Sequence, residues 1–261
     1  MRDLIDMWRN TRMVVLTAMS ASLYAAILIP FKVLPIIPGV TEFRPANAVP
    51  VICSLLFGPA GAWGSAIGNV IGDFFGGLGP GDLFGFFGNF LYGFVPYRVW
   101  TAIMGDRDPV PQTPAEWIVF VGVIALASGA CALSIGWGIN LLGFVPFSVL
   151  GNIIFLNDFL VAVVLTPILL TVIYPRVKSA KLRYVDVLAT RPRRPVIIRS
   201  IGLMLVGGAI SAGMVLGNLL STGQVVPPFL VAAEATSTHA LAVGIGLVPP
   251  IALLLLGLFL L

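Results

Sequence analysis

The feature that most constrains this chain is a series of long apolar runs that recurs from one end to the other. Of the 261 residues, 58% are hydrophobic and only 10% are charged, and the mean hydropathy is +1.03. A soluble domain carries about a quarter charged residues, so this composition cannot cover a surface that faces water. Because a run of about 20 apolar residues spans a bilayer as a helix, the sequence predicts an all-α integral membrane protein.

The apolar runs predict about eight transmembrane helices. The second and third are short, and Gly58-Pro59 supplies the break between them; a single kinked or re-entrant hairpin is the alternative for this pair. The predicted helices cover residues 13–30, 45–58, 60–77, 82–103, 116–142, 147–174, 196–220 and 239–261. We therefore expect a six-helix bundle within residues 1–175, a basic linker at 176–195, and a C-terminal two-helix extension at 196–261.

The positions of the basic residues predict how the chain is oriented. With the N-terminus in the cytoplasm, 13 of the 15 Lys and Arg lie on the cytoplasmic side, and only Lys32 and Arg44 lie on the external side. Short loops rich in Lys and Arg stay in the cytoplasm. We therefore expect a multi-pass cell-membrane protein whose N-terminus and basic 176–195 linker are cytoplasmic. This linker is interpreted as a topology signal that also contacts the lipid bilayer, and not as a nucleic-acid site.

Polar side chains within the predicted helices gather toward the external side. Carboxylates and amides inside a membrane are costly, so they mark either function or tightly paired structure. For any single asparagine, a hydrogen bond to a neighbouring helix is the alternative. For the whole set we favour a ligand pocket that opens to the outside. Its members are Asn47, Asn69, Asp73, Asp82, Asn89, Trp137, Asn140, Asn152, Asn157 and Asp158.

Two further features belong to this predicted pocket. The external loop 31–44 carries Glu42 and Arg44 and suits a lid over a pocket. Phe84 and Phe90 could stack on a flat heterocycle, although packing and lipid contact explain aromatic residues in this helix as well.

The sequence lacks the parts that common catalytic sites need. It contains no G-x-x-x-x-G-K-[ST] phosphate loop, and His239 is its single histidine. Cys53 and Cys131 both fall inside apolar runs without CxxC spacing. We therefore expect neither an enzyme nor a cofactor or metal site.

Residues 43–75 read FRPANAVPVICSLLFGPAGAWGSAIGNVIGDFF, and they follow a first helix with the pattern Ala21-Ser-Leu-Tyr-Ala25 and a proline-rich loop. In these features the chain resembles the substrate-binding S component of energy-coupling factor (ECF) transporters, in the queuosine-precursor and riboflavin-type branches. The resemblance covers about residues 13–175. It implies a six-helix vitamin-binding protein that docks on a transmembrane T subunit powered by two ATPase subunits, with Ala21 and Ala25 contacting the T subunit. The two additional C-terminal helices depart from this pattern.

The residues and the resemblance together lead to one hypothesis. The chain is a membrane-embedded substrate-binding subunit for uptake of a small vitamin-like or nucleobase-like micronutrient, and it works with an ATP-driven ECF-type module. A stand-alone secondary transporter is the alternative; it would need internal repeats, and we find no convincing one. A membrane enzyme or assembly scaffold is a third candidate. The substrate-binding candidates are Glu42, Arg44, Asn47, Asn69, Asp73, Asp82, Phe84, Asn89, Phe90, Trp137, Asn140, Asn152, Asn157 and Asp158.

Overall fold

The computed structural model describes residues 3–32, 34–37, 41–42, 44–188, 194–225 and 235–261. Most of these residues are helical. The helices are α1 (Asp3–Asp6), α2 (Thr11–Phe31), α3 (Ala48–Phe57), α4 (Pro59–Gly76), α5 (Asp82–Met104), α6 (Pro114–Leu141), α7 (Phe147–Ser179), α8 (Tyr184–Val187), α9 (Val196–Ser221), α10 (Ala235–Gly246) and α11 (Val248–Leu260). Two short antiparallel strands, β1 (Pro35–Ile37) and β2 (Thr41–Glu42), lie in the loop after α2.

Five helical stretches in the described part of the chain are long and apolar enough to cross a membrane. They are Thr11–Phe31, Pro114–Leu141, Phe147–Val187, Val196–Ser221 and Ala240–Leu260. Large apolar side chains point outward from several of them; Ile118 and Ile197, for example, are 75% and 74% exposed. Such faces are stable against lipid and not against water. The structure thus confirms the prediction of an all-α, multi-pass membrane protein.

The helices α3 and α4 form a tight hairpin. The 10 residues of α3 rise only about 15 Å, which is half of a bilayer core of about 30 Å. The turn is at Gly58, whose φ of 57° favours glycine, and Pro59 starts α4. A Cβ on Gly61 would collide with the backbone of Cys53. The second predicted helix is therefore shorter than the bilayer core is thick, and the chain reverses its direction at Gly58.

One end of the bundle, here called the basic end, contains the N-terminal segment 3–12, the α3–α4 turn, the last turns of α5 and α7, and α8. Several contacts tie these parts together. Tyr97 donates a hydrogen bond from its hydroxyl to Asp3 Oδ2 at 2.7 Å, and Trp63 Nε1 donates to the Leu4 carbonyl at 3.1 Å. Gly58 lies against the ring of Tyr184. The short N-terminal segment therefore covers this end of the bundle.

Glycines in α4 determine how closely α2 and α4 approach. A Cβ at Gly68 would lie 2.7 Å from the Ala21 carbonyl oxygen, and Gly64 and Gly72 also face α2. A face of small residues lets helix backbones pack closely inside a membrane. This packing brings the polar residues of α4 next to the end of α2.

The C-terminal helices pack onto the rest of the bundle. α9 lies against α6, α7 and α11, and α10 lies against α6 and α9. The helix predicted for 239–261 is divided into α10 and α11 at Leu247, where Pro249 and Pro250 follow. Proline lacks a backbone N–H group and therefore interrupts a continuous helix.

Candidate ligand-binding cavity

A cavity of about 220 Å³ lies at the end of the bundle opposite the basic end. Parts of α4 to α7 and of the loops after α2, α4 and α6 form its walls. Its lining combines charged, amide, glycine and aliphatic groups: Lys32, Ile37, Arg44, Asn69, Asp73, Gly76, Gly77, Gly79, Gly81, Asp82, Gly85, Asn89, Cys131, Ile135, Ile139, Phe144, Ile154, Asn157 and Asp158. A pocket with an apolar face and a few convergent polar groups is typical of a small-molecule site.

On the α4 side, one cation and one amide bind the Asp73 carboxylate, and a second cation binds that amide. Lys32 Nζ donates to Asp73 Oδ1 at 2.8 Å, and Asn69 Nδ2 donates to Asp73 Oδ2 at 2.5 Å. Arg44 donates from a terminal guanidinium nitrogen to Asn69 Oδ1 at 3.1 Å. Asn69 and Asp73 share a face because they lie one helical turn apart. The two ends of the loop after α2 are therefore both bound to α4, and the carboxylate is compensated by charge.

The floor of the cavity is a buried hydrogen-bond network. Asn47 Nδ2 donates to Asp158 Oδ1 at 2.6 Å, and the Tyr92 hydroxyl donates to the Asp158 carbonyl at 3.1 Å. The Tyr24 hydroxyl donates to Asn89 Oδ1 at 2.9 Å. Asp158 is only 5% exposed. Neighbours from α2, α5, α7 and the 3-10 turn Pro45–Asn47 hold these groups, so their orientation is set before any ligand enters.

Glycine residues form a third wall. Gly77 has a φ of 94°, and a Cβ at Gly77 or Gly79 would meet no atom within 4 Å. The Gly79 N–H donates to Asp82 Oδ2 at 2.7 Å. A Cβ at Gly85 would lie 3.0 Å from Asn69 Nδ2, so glycine leaves room for that amide. The wall therefore lets a ligand approach backbone and amide groups closely.

The opposite wall is aliphatic. Ile135 and Ile139 come from α6, Ile154 comes from α7, and Phe144 comes from the loop between them. A ligand in this cavity would place one flat apolar face on the isoleucines and direct its polar edges to the α4 side and the floor. The cavity thus has one apolar side and one polar side.

The structure brings one group of the predicted site residues together. Asn47 lies directly behind the floor through its bond to Asp158. The others of this group line the cavity itself: Arg44, Asn69, Asp73, Asp82, Asn89, Asn157 and Asp158. Glu42 lies in β2, and its side chain is outside the described part of the structure.

Aromatic candidates lie elsewhere in the bundle. Phe84 packs edge-on against Trp137, with ring centroids 5.9 Å apart. Phe90 lies between Trp63 and Phe94, at centroid distances of 4.9 and 5.6 Å.

Three further candidates contact the C-terminal helices. Trp137 Nε1 donates to the Gly244 carbonyl at 2.9 Å, and Asn140 Nδ2 donates to the Ala240 carbonyl at 3.3 Å. Asn152 pairs with an asparagine of α9. In the structure, these side chains connect helices and do not line the cavity.

The two alanines inferred to contact the T subunit are buried by other residues of this chain. Ala21 and Ala25 are 2% and 4% exposed. Gly68 of α4 lies directly against Ala21. The exposed small residues of α2 are instead Ala18, Ser22 and Ala26.

Several cavity residues were not among the sequence candidates. Lys32 could have been found from charge alone, since a carboxylate inside a membrane needs a partner and Lys32 and Arg44 are the only basic residues on the predicted external side. Tyr24 and the isoleucines carried no such signal, because tyrosine and isoleucine are ordinary core residues. Within the described residues, no group of three or more His, Cys, Asp or Glu is arranged to hold a metal ion.

A comparison with protein families gives a match. A family model described as QueT transporter matches residues 14–175. No curated protein and no solved structure matches the chain. The matched segment contains every residue that lines the cavity, and it ends before α9, α10 and α11.

Proposed function

Because the chain belongs to the QueT transporter family, a family of ECF S components, we propose that it captures a small vitamin-like or nucleobase-like micronutrient for uptake by an ATP-driven ECF module. The family is one of transporters and not of enzymes, which confirms the expectation that the chain is not an enzyme. The observation that carries the proposal is the cavity, whose floor of Asn47, Asn89 and Asp158 is buried and fixed by hydrogen bonds.

The volume of the cavity limits the size of the ligand. The cavity holds about 220 Å³. Pockets for drug-sized ligands hold about 300–1,000 Å³. A space smaller than these pockets favours a single or fused pair of small rings over a tricyclic flavin with its sugar-alcohol chain. The volume therefore favours the queuosine-precursor branch of the resemblance over the riboflavin-type branch.

The chemistry of the walls suggests how such a ligand is held. Asp158 and Asp73 accept hydrogen bonds from ring or amino N–H groups, and Asn89 and Asn157 orient the ring. The isoleucine wall excludes water from one ring face. A buried acceptor that loses its donor costs about 1–3 kcal/mol, so the site rejects ligands that lack the matching N–H groups.

The predicted orientation makes this cavity extracytoplasmic. With the basic end in the cytoplasm, nutrients reach the cavity from outside. Toward the basic end the bundle is filled by fully buried apolar side chains such as Val95 and Ile124. Release to the cytoplasm then requires a large rearrangement, which fits a partner module driven by ATP hydrolysis.

We place the contact with the T subunit on the exposed stripe of α2. Ala18, Ser22 and Ala26 recur every four residues on one exposed face. A stripe of this kind allows close approach of another helix in the membrane. Ala21 and Ala25, which the resemblance suggested, are buried, and Ala21 faces α4.

The test uses the full chain, purified in detergent. Native mass spectrometry identifies any small molecule that copurifies, and calorimetry measures binding of a queuosine precursor, of free purine bases and of riboflavin. The expected result is binding of a bicyclic base and no binding of riboflavin. Binding of riboflavin alone would contradict the proposal.

Reconstituted uptake separates this function from a stand-alone carrier. Proteoliposomes that contain only this chain should accumulate no ligand, because the chain needs an ECF module with ATP inside the vesicle. Accumulation by the chain alone, driven by an ion gradient, would support the secondary-transporter alternative.

A further inference from the structure

The C-terminal helices are joined to α7 by paired polar side chains. Asn152 Nδ2 donates to Asn218 Oδ1 at 2.7 Å, and Asn218 Nδ2 donates to Asn152 Oδ1 at 3.2 Å. The Ser148 N–H donates to Ser221 Oγ at 3.1 Å, and the two serine hydroxyls are also 3.1 Å apart. Inside a membrane such bonds have no water to compete with them. The first half of α7 is therefore fixed to α9.

A second set of contacts joins α6 to α10. Trp137 Nε1 and Asn140 Nδ2 donate to the carbonyls of Gly244 and Ala240, at 2.9 and 3.3 Å. Asn140 Oδ1 also accepts from the Phe147 N–H at 3.0 Å, which ties the start of α7 to the end of α6. α6 and α7 are thus held to each other and to the C-terminal helices.

The same stretches of α6 and α7 provide the aliphatic wall of the cavity. On α6, Ile135 and Ile139 line the cavity, with Trp137 between them bound to α10. On α7, Ile154 lines the cavity two residues after Asn152. Across the cavity, the loop after α4 leaves open space beside Gly77 and Gly79, and Gly81 lies against Ile139 of the wall.

We propose that α9–α11 serve as a buttress that fixes the α6–α7 wall, so that the cavity opens without movement of this wall. Asn152, Asn218 and Trp137 are then positioning residues: they touch no ligand and act through the isoleucines on the opposite face. The inference rests on the proposed function only in treating the cavity as the ligand site.

The two native cysteines provide a test that needs no ligand. Cys131 lines the cavity, whereas Cys53 is buried in α3 and does not line it. The probe is methyl methanethiosulfonate, and mass spectrometry of peptides follows modification of each thiol with time. Asn218→Leu removes the amide pair, and Trp137→Phe removes the indole donor to α10. Val215→Leu, at a position of α9 that is 60% exposed to lipid, is the matched control.

Asn218→Leu and Trp137→Phe should each raise the modification rate of Cys131 about tenfold. This factor corresponds to about 1.4 kcal/mol in the free energy of opening the cavity. Cys53 should stay unmodified, and the control should behave as the wild type. Rates at Cys131 within twofold of wild type in both variants would overturn the inference. A parallel rise at Cys53 would also overturn it, because it would show general loosening of the fold. Neither result would bear on whether the cavity binds the nutrient.

Discussion

Replacing Asp158 by asparagine separates ligand binding from folding. One carboxylate oxygen accepts a hydrogen bond from Asn47 at 2.6 Å, and the residue also lines the cavity. In Asp158→Asn the amide oxygen can still accept from Asn47. The amide nitrogen then replaces the other carboxylate oxygen, so that a donor stands where the proposed ligand needs an acceptor.

The expected magnitude follows from the hydrogen bond that is lost. A ligand N–H that loses its buried acceptor costs about 1–3 kcal/mol, and each 1.4 kcal/mol changes an affinity tenfold. We therefore expect Kd to rise about 5- to 150-fold. The free energy of unfolding of the ligand-free protein should change by less than about 1 kcal/mol, because the bond from Asn47 is retained.

Calorimetry on purified wild type and variant, with a queuosine precursor as the ligand, measures the change in Kd. Thermal denaturation without ligand measures the change in stability. Leu160→Ala is the control, since Leu160 lies on the same helix and is 56% exposed to lipid. A Kd for Asp158→Asn within twofold of wild type would refute the role given to this carboxylate.

Three other changes test the fold, the charge pairing and the partner surface. Lys32→Met leaves Asp73 without its ion-pair partner and should lower stability by about 1–3 kcal/mol; an unchanged melting temperature would show that the pair contributes nothing. Gly68→Ala places a methyl group against the α2 backbone and should cost about 1–3 kcal/mol by overpacking, so a melting temperature equal to wild type would contradict the α2–α4 geometry. Ser22→Trp should abolish ATP-dependent uptake with the ECF module while calorimetric binding stays normal. Val164→Trp, on an exposed face of α7, should change neither, and equal uptake by both variants would refute the α2 docking surface.

Periodicity and hydropathy were sufficient to predict the class of fold. Apolar runs located the long helices to within a few residues; the run predicted at 116–142, for example, is the helix Pro114–Leu141. They did not show the division of the last predicted helix into α10 and α11 at Leu247. On sequence grounds alone, the break at Gly58-Pro59 allows a re-entrant hairpin or two spanning helices. The structure adds that the turn is tight, with Gly61 against the backbone of Cys53, and that α3 is only 10 residues long.

The sequence indicates the depth of a polar side chain in the membrane better than its direction. Asn152 and Asp158 both lie in the first half of α7, but six residues of helix rotate a side chain by about 240°. Asp158 therefore faces the cavity, whereas Asn152 faces Asn218 on α9. Predicting this difference requires knowing that α9 packs behind α7, which no local pattern shows.

The most direct measurement is protection of Cys131 by the ligand. Methyl methanethiosulfonate is applied to the wild-type protein with and without a saturating concentration of the base that binds in calorimetry. If the ligand occupies the cavity, modification of Cys131 should slow at least about tenfold, while Cys53 stays unreactive in both samples. Calorimetric binding without any protection of Cys131 would place the ligand elsewhere and contradict the account.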